Sequence, residues 1–424
     1  MPGFAKAKSE QALDALRAIV AEGELRKGVA EDAVCEVVPE LFVTPANEVE
    51  LAKVLECAGR MELQVAPRGG GTKLDWGTAP QSIDLMISTA RLTRILEHAP
   101  GDMTVTLEAG ATIAQLQSAL AQHGQRLALD PLWPERATVG GVIATNDSGA
   151  LRVRYGGVRD LIIGITVVLG DGTIAKSGGK VVKNVAGYDL PKLMTGALGT
   201  LGVISKTVFR LHPLPVESRT LSFPFHSREA ANDFMLAITD SIVIATGLQM
   251  RTGADGRIAV DVRVDGIAAG VAAQTDTVCN LAGKVKPAEN GNVWQAREEL
   301  WNGSDGATIC KLSMLPAQLS TTAEFVREGL SENASWNLVM NSTGLAWLRM
   351  DATDCGQIAD VVSSIRNFLA STGGTAVLLR APEAVRQKVD VWGEAANSLA
   401  VMKRIKEQFD PHANLNRGRF VGGI

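Results

Sequence analysis

Little in this chain of 424 residues is suited to ligating a metal cluster, crossing a bilayer or gripping a nucleic acid. Its five cysteines (Cys35, Cys57, Cys279, Cys310, Cys355) are an odd number, lie far apart and include no C-x-x-C pair. That pattern argues against a disulfide framework and against a cluster-binding subunit, and it reads as buried free thiols in a reducing compartment. The five histidines (His98, His123, His212, His226, His412) are isolated in sequence, so each is expected at the surface or at a cap, and no metal site is expected. No apolar run approaches the roughly 20 residues of a membrane span. There is no Lys/Arg run, and a net charge of -4 exerts no long-range pull on phosphate backbones or anionic lipid. A nucleic-acid partner and a membrane span are therefore not expected. Met1 to Glu10 mixes lysines with alanines and lacks the apolar core of an export signal, so the expected address is the cytoplasm. No Gly-x-Ser-x-Gly is present, and no serine has a histidine at a telling position.

What is present is glycine, at 43 residues, and it is clustered. The length predicts two domains, and the 46% hydrophobic and 21% charged fractions are those of a globular protein. Residues 8–30 read as a helix with Leu13, Leu16, Ile19 and Val20 on one face. Thr44-Pro45-Ala46-Asn47-Glu48 starts another helix, whose stripe is Val49, Val54, Leu55 and Ala58. Strands are predicted at 62–66, 82–87 and 103–108, a helix at 112–123, and a strand at 161–169 ending in the hairpin signal Gly170-Asp171-Gly172-Thr173. Residues 199–211 read as a turn and a strand, and His212-Pro213-Leu214-Pro215 as a boundary.

The second half repeats itself in pattern. A strand at 219–225, a helix to 241, strands at 247–251 and 257–264 and a helix are followed by the same order from 307 to 372. Two β-α-β-β-α units side by side predict an α+β domain with one antiparallel sheet and helices on one face. The expected division is 1–215, 216–380 and a tail 381–424 that returns to the first domain.

Three glycine clusters carry the chemistry. Pro67-Arg68-Gly69-Gly70-Gly71-Thr72-Lys73 follows a strand, and its glycines let backbone N–H groups converge on one point. A pyrophosphate suits such a point; a glycine-rich turn with no ligand accounts for this loop alone equally well. The loop is neither a dinucleotide fingerprint of the Gly-x-Gly-x-x-Gly type nor a Walker A. The second cluster runs from Ala137 through Thr138, Gly140, Gly141, Ala144, Thr145, Asn146 and Ser148 to Gly149, and Arg154-Tyr155-Gly156 follows it. The third is Lys183-Asn184-Val185-Ala186-Gly187-Tyr188-Asp189-Leu190, leading into Gly199, Gly202, Val203 and Ile204. Close strand packing explains any one cluster but explains all three in this order poorly.

Taken in order, the clusters resemble the FAD-binding domain shared by relatives of vanillyl-alcohol oxidase and p-cresol methylhydroxylase, and within it the FAD-binding subunits of bacterial glycolate oxidases. The run at 178–190 carries most of the likeness, and the ending from Phe409-Asp410-Pro411 to Asn416-Arg417-Gly418-Arg419 also resembles that family's close. The likeness is strong over the first 215 residues, clear in the tail, and architectural in between. It implies an FAD-binding domain of the p-cresol methylhydroxylase type plus an α+β cap domain with an antiparallel sheet. It also implies noncovalent FAD, since no histidine or cysteine falls inside the clusters. By the same resemblance Arg68 to Lys73 would hold the pyrophosphate, Thr138 to Gly141 and Ala144 to Gly149 would line the ADP and flavin, and Gly199 to Ile204 would cover the isoalloxazine or adenine side. Asn416 to Arg419 would reach the flavin's pyrimidine edge, where a guanidinium stabilises the negative charge of a reduced flavin. The family's tail has proline where Arg417 stands here, which alters the turn and keeps the charge.

The histidine-rich metal motif and Gly-Asp-Gly-Asn stretch of many 2-hydroxy-acid dehydrogenases in this superfamily are absent. No catalytic base is assigned; Lys183, Tyr188 and Arg417 are the polar residues to test. The resemblance implies oxidation of a small 2-hydroxy acid, glycolate, with an iron–sulfur subunit and a second flavoprotein subunit as partners, and a complex peripheral to the inner membrane. The rival expectations are an FAD-loaded subunit without its own catalysis, a self-sufficient flavoenzyme for another acid such as D-lactate, and a degenerate chain with no FAD.

Overall fold

The computed structural model describes residues 2–179, 188–289, 291–303, 306–331, 334–351, 354–395 and 397–424. Lys183 and most of the run that carried the family likeness lie outside them. The chain divides into two compact units: Met1–Asp147, Gly157–Leu214 and Glu394–Ile424 form one, and Ser148–Gly156 with Pro215–Gly393 the other.

The first unit holds two principal sheets. In the smaller one, Leu41–Val43 and Val65–Arg68 flank Leu85–Ser88 in parallel, and Leu25–Lys27 adds an antiparallel edge. Its core gathers Leu51, Val54 and Leu55 of the helix Glu48–Arg60 against Val43, Leu85 and Ile87. Asn47 caps that helix by accepting from the Val49 and Glu50 amides, a cap worth about 1 kcal/mol. Val49 is not part of the buried stripe. It sits in the first turn and is exposed, while Leu51 takes the inward position. The predicted helix over 8–30 is also shorter than expected, Pro2–Arg17. It ends at Arg17, Gly23 at φ +89 turns the chain that follows, and Leu25–Lys27 forms the sheet edge.

The larger sheet is antiparallel, in the order Ile95–Ala99, Thr104–Glu108, Val203–Arg210, Ile162–Val168, Ile174–Gly178. Its last two strands are joined through Gly172 at φ +86, with the Leu169 amide donating to the Thr173 carbonyl at 2.9 Å. A helix missed in the sequence, Val139–Thr145, lies against this sheet, capped by Thr138.

The second unit is an eight-stranded antiparallel sheet. The strands Glu217–Pro224, Ile258–Gly266 and Ala245–Gly253 come from one β-α-β-β-α repeat, and Ser335–Asn341, Leu345–Asp351 and Thr308–Ser313 from the other. The repeats meet where Ala245–Gly253 pairs with Ser335–Asn341, in register at Met250 and Met340. Alternate residues such as Phe223, Leu248, Val260, Leu338 and Leu348 pack into one core with Phe234, Val326 and Ile365 of the helices. This is the α+β sheet-and-helix layer expected.

Candidate functional site

The first unit carries a cleft of two abutting parts, about 500 and 420 Å³ in volume, that share Pro67, Gly69, Gly141, Ala144 and Leu198 in their walls. One wall is the loop after the strand Val65–Arg68. Gly69 and Gly70 are required there by close approach: a Cβ on Gly70 would stand 1.8 Å from the Arg136 carbonyl oxygen, and one on Gly69 2.1 Å from Thr138 Oγ1. Gly71 lies at φ +71. Among the described residues, the backbone N–H groups of Gly69, Gly70, Gly71 and Thr72 donate to no protein acceptor. Four consecutive unengaged donors in a turn form an anion-binding concavity.

The second glycine cluster behaves differently. The amides of Val139 and Gly140 donate to the carbonyls of Ala111 and Ala109, and that of Gly141 to Thr138 Oγ1 at 3.3 Å. The start of this helix therefore shapes the wall and offers no donors of its own. The third wall is 198–204, which contributes Gly199, Gly202, Val203 and Ile204. Leu198 has φ +50 and is held by its own amide on the Ala144 carbonyl at 2.8 Å.

The C-terminal segment closes the fourth side. Leu415 bridges Val65 in parallel, the Asn416 amide donates to the Val65 carbonyl at 2.8 Å, and Asn416 Nδ2 donates to the Leu198 carbonyl. Asn416 Oδ1 is buried without a hydrogen-bond partner. Arg419, buried, donates to the carbonyls of Leu74, Trp76 and Thr78 and lines the cleft.

The charges around the cleft are matched within the chain. Lys73, with a side chain 4% exposed, pairs with Asp147 at 3.2 Å between the rings of Trp76 and Trp133. Arg68 donates to Asp32 at 2.9 Å, and Arg26 shares the same carboxylate. The Arg26 hydrogen bond holds the Asp32 carboxyl below the usual aspartate range. Lys406 pairs with Asp410, and burial pushes its ammonium below the ordinary lysine value.

The structure thus brings together Pro67, Arg68, Gly69, Gly70, Gly71, Thr72, Lys73, Thr138, Gly140, Gly141, Ala144, Thr145, Gly199, Gly202, Val203, Ile204 and Asn416. Asn146 stands just behind, as the left-handed C-cap of the helix Val139–Thr145. Ser148 and Gly149 belong to the other compact unit. Arg417 is exposed, as is Tyr188 at 88%, and neither is among the lining residues. Leu74, Trp76, Thr89 and Leu198, which sequence reasoning did not single out, line it. Among the described residues no cluster of three or more His, Cys, Asp or Glu could hold a metal. No helix among them is long and apolar enough to cross a membrane. Two histidines that are separate in sequence, His98 and His123, do meet edge-to-face at 4.8 Å.

Residues 39–178, the stretch that supplies the first two walls, match a family profile described as an FAD binding domain. The chain carries an FAD-binding domain. It is 32% identical over 211 residues to the glycolate oxidase subunit GlcD of Bacillus subtilis, covering 50% of this chain and 45% of that protein. It is 36% identical over 198 residues to a D-lactate dehydrogenase of Archaeoglobus fulgidus, covering 47% and 44%. These matches span less than half the length of either relative. At 26% identity, a D-2-hydroxyglutarate dehydrogenase of Xanthomonas citri pv. viticola aligns over 427 residues, 90% of this chain and 89% of that one. The fold is that of p-cresol methylhydroxylase, whose substrate-bound crystal structure superposes with a TM-score of 0.77 at 14% identity over 98% of this chain and 97% of that chain.

Proposed function

We propose that this chain is an FAD-dependent oxidoreductase of small 2-hydroxy acids, working as the FAD-binding subunit of a glycolate-oxidising complex. The observation that carries the reading is the row of unengaged N–H groups at Gly69–Thr72, set in a cleft two of whose walls lie in the stretch that matches an FAD binding domain. A pyrophosphate bridges such donors, each charge-assisted contact contributing about 1.5–3 kcal/mol. Asn416 Oδ1, a buried acceptor without a donor, suits an N–H or O–H of the same cofactor. The apolar strip of Leu198, Val203 and Ile204 suits a ring system. No covalent anchor is called for.

When bound, FAD would supply a two-electron acceptor for the hydride leaving the substrate's carbinol carbon, with the hydroxyl proton passing to solvent, so that glycolate becomes glyoxylate. The chain's own contribution is to hold the pyrophosphate by main-chain dipoles and to wall the rings with aliphatic side chains. It also keeps Lys73, Arg68 and Arg419 engaged with protein acceptors. The likeness to D-lactate dehydrogenases at 36% identity favours D-lactate as the alternative substrate. Electron delivery to an iron–sulfur partner, alongside a second flavoprotein subunit, belongs to this proposal as well. The cytoplasm, with the assembled complex at the inner membrane, is the proposed location.

The test is an anaerobic absorption spectrum of the purified chain, before and after glycolate or D-lactate is added. Bleaching of a flavin band by one acid identifies both the activity and the substrate. A band that neither acid bleaches assigns catalysis to another subunit and leaves this one an electron-transfer or assembly role. Absence of a flavin band refutes the proposal.

A further inference from the structure

Lys406 lies near the end of the helix Leu399–Phe409, and Asp410 follows one turn later as its C-cap. Their side chains are 8% and 2% exposed. The ammonium has three protons and uses all of them: on Asp410 Oδ2 at 2.5 Å, on the Thr200 carbonyl at 2.7 Å and on the Leu415 carbonyl at 2.9 Å. The carboxylate in turn accepts from the Leu415 amide at 2.8 Å and the Asn414 amide at 3.1 Å.

Every bond that leaves this ion pair therefore ends on main chain, and all of it belongs to two segments, the 198–200 turn and 414–416. Those segments reach the cleft at Leu198 and Asn416, and each of these two residues is held in the left-handed region. Leu198 has φ +50 and Asn416 φ +43. Asn416 is where the two walls touch, through its Nδ2 on the Leu198 carbonyl, and its Oδ1 is the buried acceptor left without a partner. A pair that served only to end a helix would have no need to bond Thr200, more than 200 positions away.

We propose that Lys406 and Asp410 are positioning residues for FAD: together they lock the 198–200 turn to Leu415–Asn416, so that Asn416 Oδ1 is held in place to accept a hydrogen bond from the cofactor. The proposal rests on the FAD reading above.

The experiment measures FAD binding to apo-protein by flavin fluorescence, together with the melting temperature with and without FAD, for four proteins. These are the wild type, Asn416→Ala, the double variant Lys406→Met with Asp410→Leu, and the triple variant. The double variant exchanges the buried pair for apolar groups of similar size, so that no unpaired buried charge is left behind. The expected result is a Kd for FAD raised about tenfold or more in Asn416→Ala, the loss of one buried hydrogen bond. The double variant should show at least as large a rise at a temperature where its apo form is still folded, with an apo melting temperature below that of the wild type because the Thr200, Asn414 and Leu415 main-chain groups lose their partners. The triple variant should bind no more weakly than the double, because both changes act through one acceptor. A double variant that folds and binds FAD like the wild type overturns the proposal, and so does a triple variant in which the two losses multiply. If the double variant does not fold, Asn416→Ala still decides: unchanged affinity there means the pair has nothing to position. A wild-type chain that takes up no FAD refutes the earlier reading and this one with it, whereas wild-type binding with indifferent variants refutes this one alone.

Discussion

Gly70→Ala is the sharpest perturbation of the cleft. The added Cβ would stand 1.8 Å from the Arg136 carbonyl oxygen, where contacts under 3.0 Å essentially never occur, so one of the two backbones must retreat by at least 1.2 Å. That carbonyl belongs to a segment pinned by its neighbours. The Arg136 and Ala137 amides both donate to the Trp133 carbonyl, at 2.9 and 2.7 Å, and the Ile113 amide donates to the Ala137 carbonyl at 3.0 Å. The glycine loop has no such bonds at Gly69–Thr72, so it is the loop that moves. A hydrogen bond lengthened by more than an ångström is lost. If two of the loop's donors leave the pyrophosphate, the loss is about 3–6 kcal/mol, roughly two to four decades in Kd. Titrating apo-protein with FAD and following flavin fluorescence measures this directly. The apo melting temperature should change little, since the loop covers no core. Wild-type FAD affinity in a folded Gly70→Ala protein would refute the assignment of this loop to the pyrophosphate.

Other outcomes follow from the same contacts. Asp32 is held below its ordinary value of 3.8 by the Arg26 hydrogen bond, so its stabilising contribution is complete above that value and is lost as pH falls through the lower folded one. Asp32→Asn should therefore flatten the acid limb of the stability–pH curve and cost about 1–3 kcal/mol at neutral pH, read from urea unfolding at a series of pH values. Asp261, wholly buried, accepts from Arg251, Gln249 and Ser222 in the second unit's sheet. Asp261→Ala should destabilise by about 3–5 kcal/mol, seen as a fall in denaturation midpoint without loss of flavin. Burial pushes the Cys310 thiol up to about 12, so native protein should leave it unmodified by a thiol reagent at pH 8, and labelling should appear only on unfolding, as read by mass spectrometry.

The second unit was the more legible of the two in sequence. Its strands carry an apolar residue at every second position, as Trp336, Leu338 and Met340 do in facing the core, and its helices carry regular stripes. What the pattern could not supply was the join between the repeats. The pairing of Met250 with Met340 depends on two strands some 90 positions apart, and period-two alternation fits several registers equally. In the first unit the loop 67–73 was legible because three successive glycines directly after a strand, with two further glycine clusters behind them in order, suit a close backbone approach better than a plain turn. The helix Val139–Thr145 was not legible, since a glycine pair is a poor helix former and the element depends on the Thr138 cap and on carbonyls of 109–111. Leu198 could not be found from sequence either, because nothing in a leucine announces a left-handed conformation. In the tail, counting charges favoured Arg417, yet Asn416 at φ +43 and Gly418 at φ +75 turn the chain so that Arg419 is the arginine directed inward.

The pairing of charges around the cleft bears on how it holds an anion. Arg68, Lys73 and Arg419 line it, and each already meets Asp32, Asp147 or a set of main-chain carbonyls. The attraction available to a bound pyrophosphate therefore comes chiefly from the N–H dipoles of Gly69–Thr72, whose directions are set by backbone geometry. A cation moved by an ångström still attracts an anion almost as strongly, because its field falls off slowly and in all directions. An N–H group moved by the same amount, or turned away, contributes almost nothing. A site built on dipoles thus depends on the shape of its backbone, which gives a physical reason for the crowding at Gly69 and Gly70, for the left-handed turns at Leu198 and Asn416, and for the buried ion pair that fixes those turns. It also means that a lysine introduced at the rim of Gly70→Ala would restore charge without restoring direction.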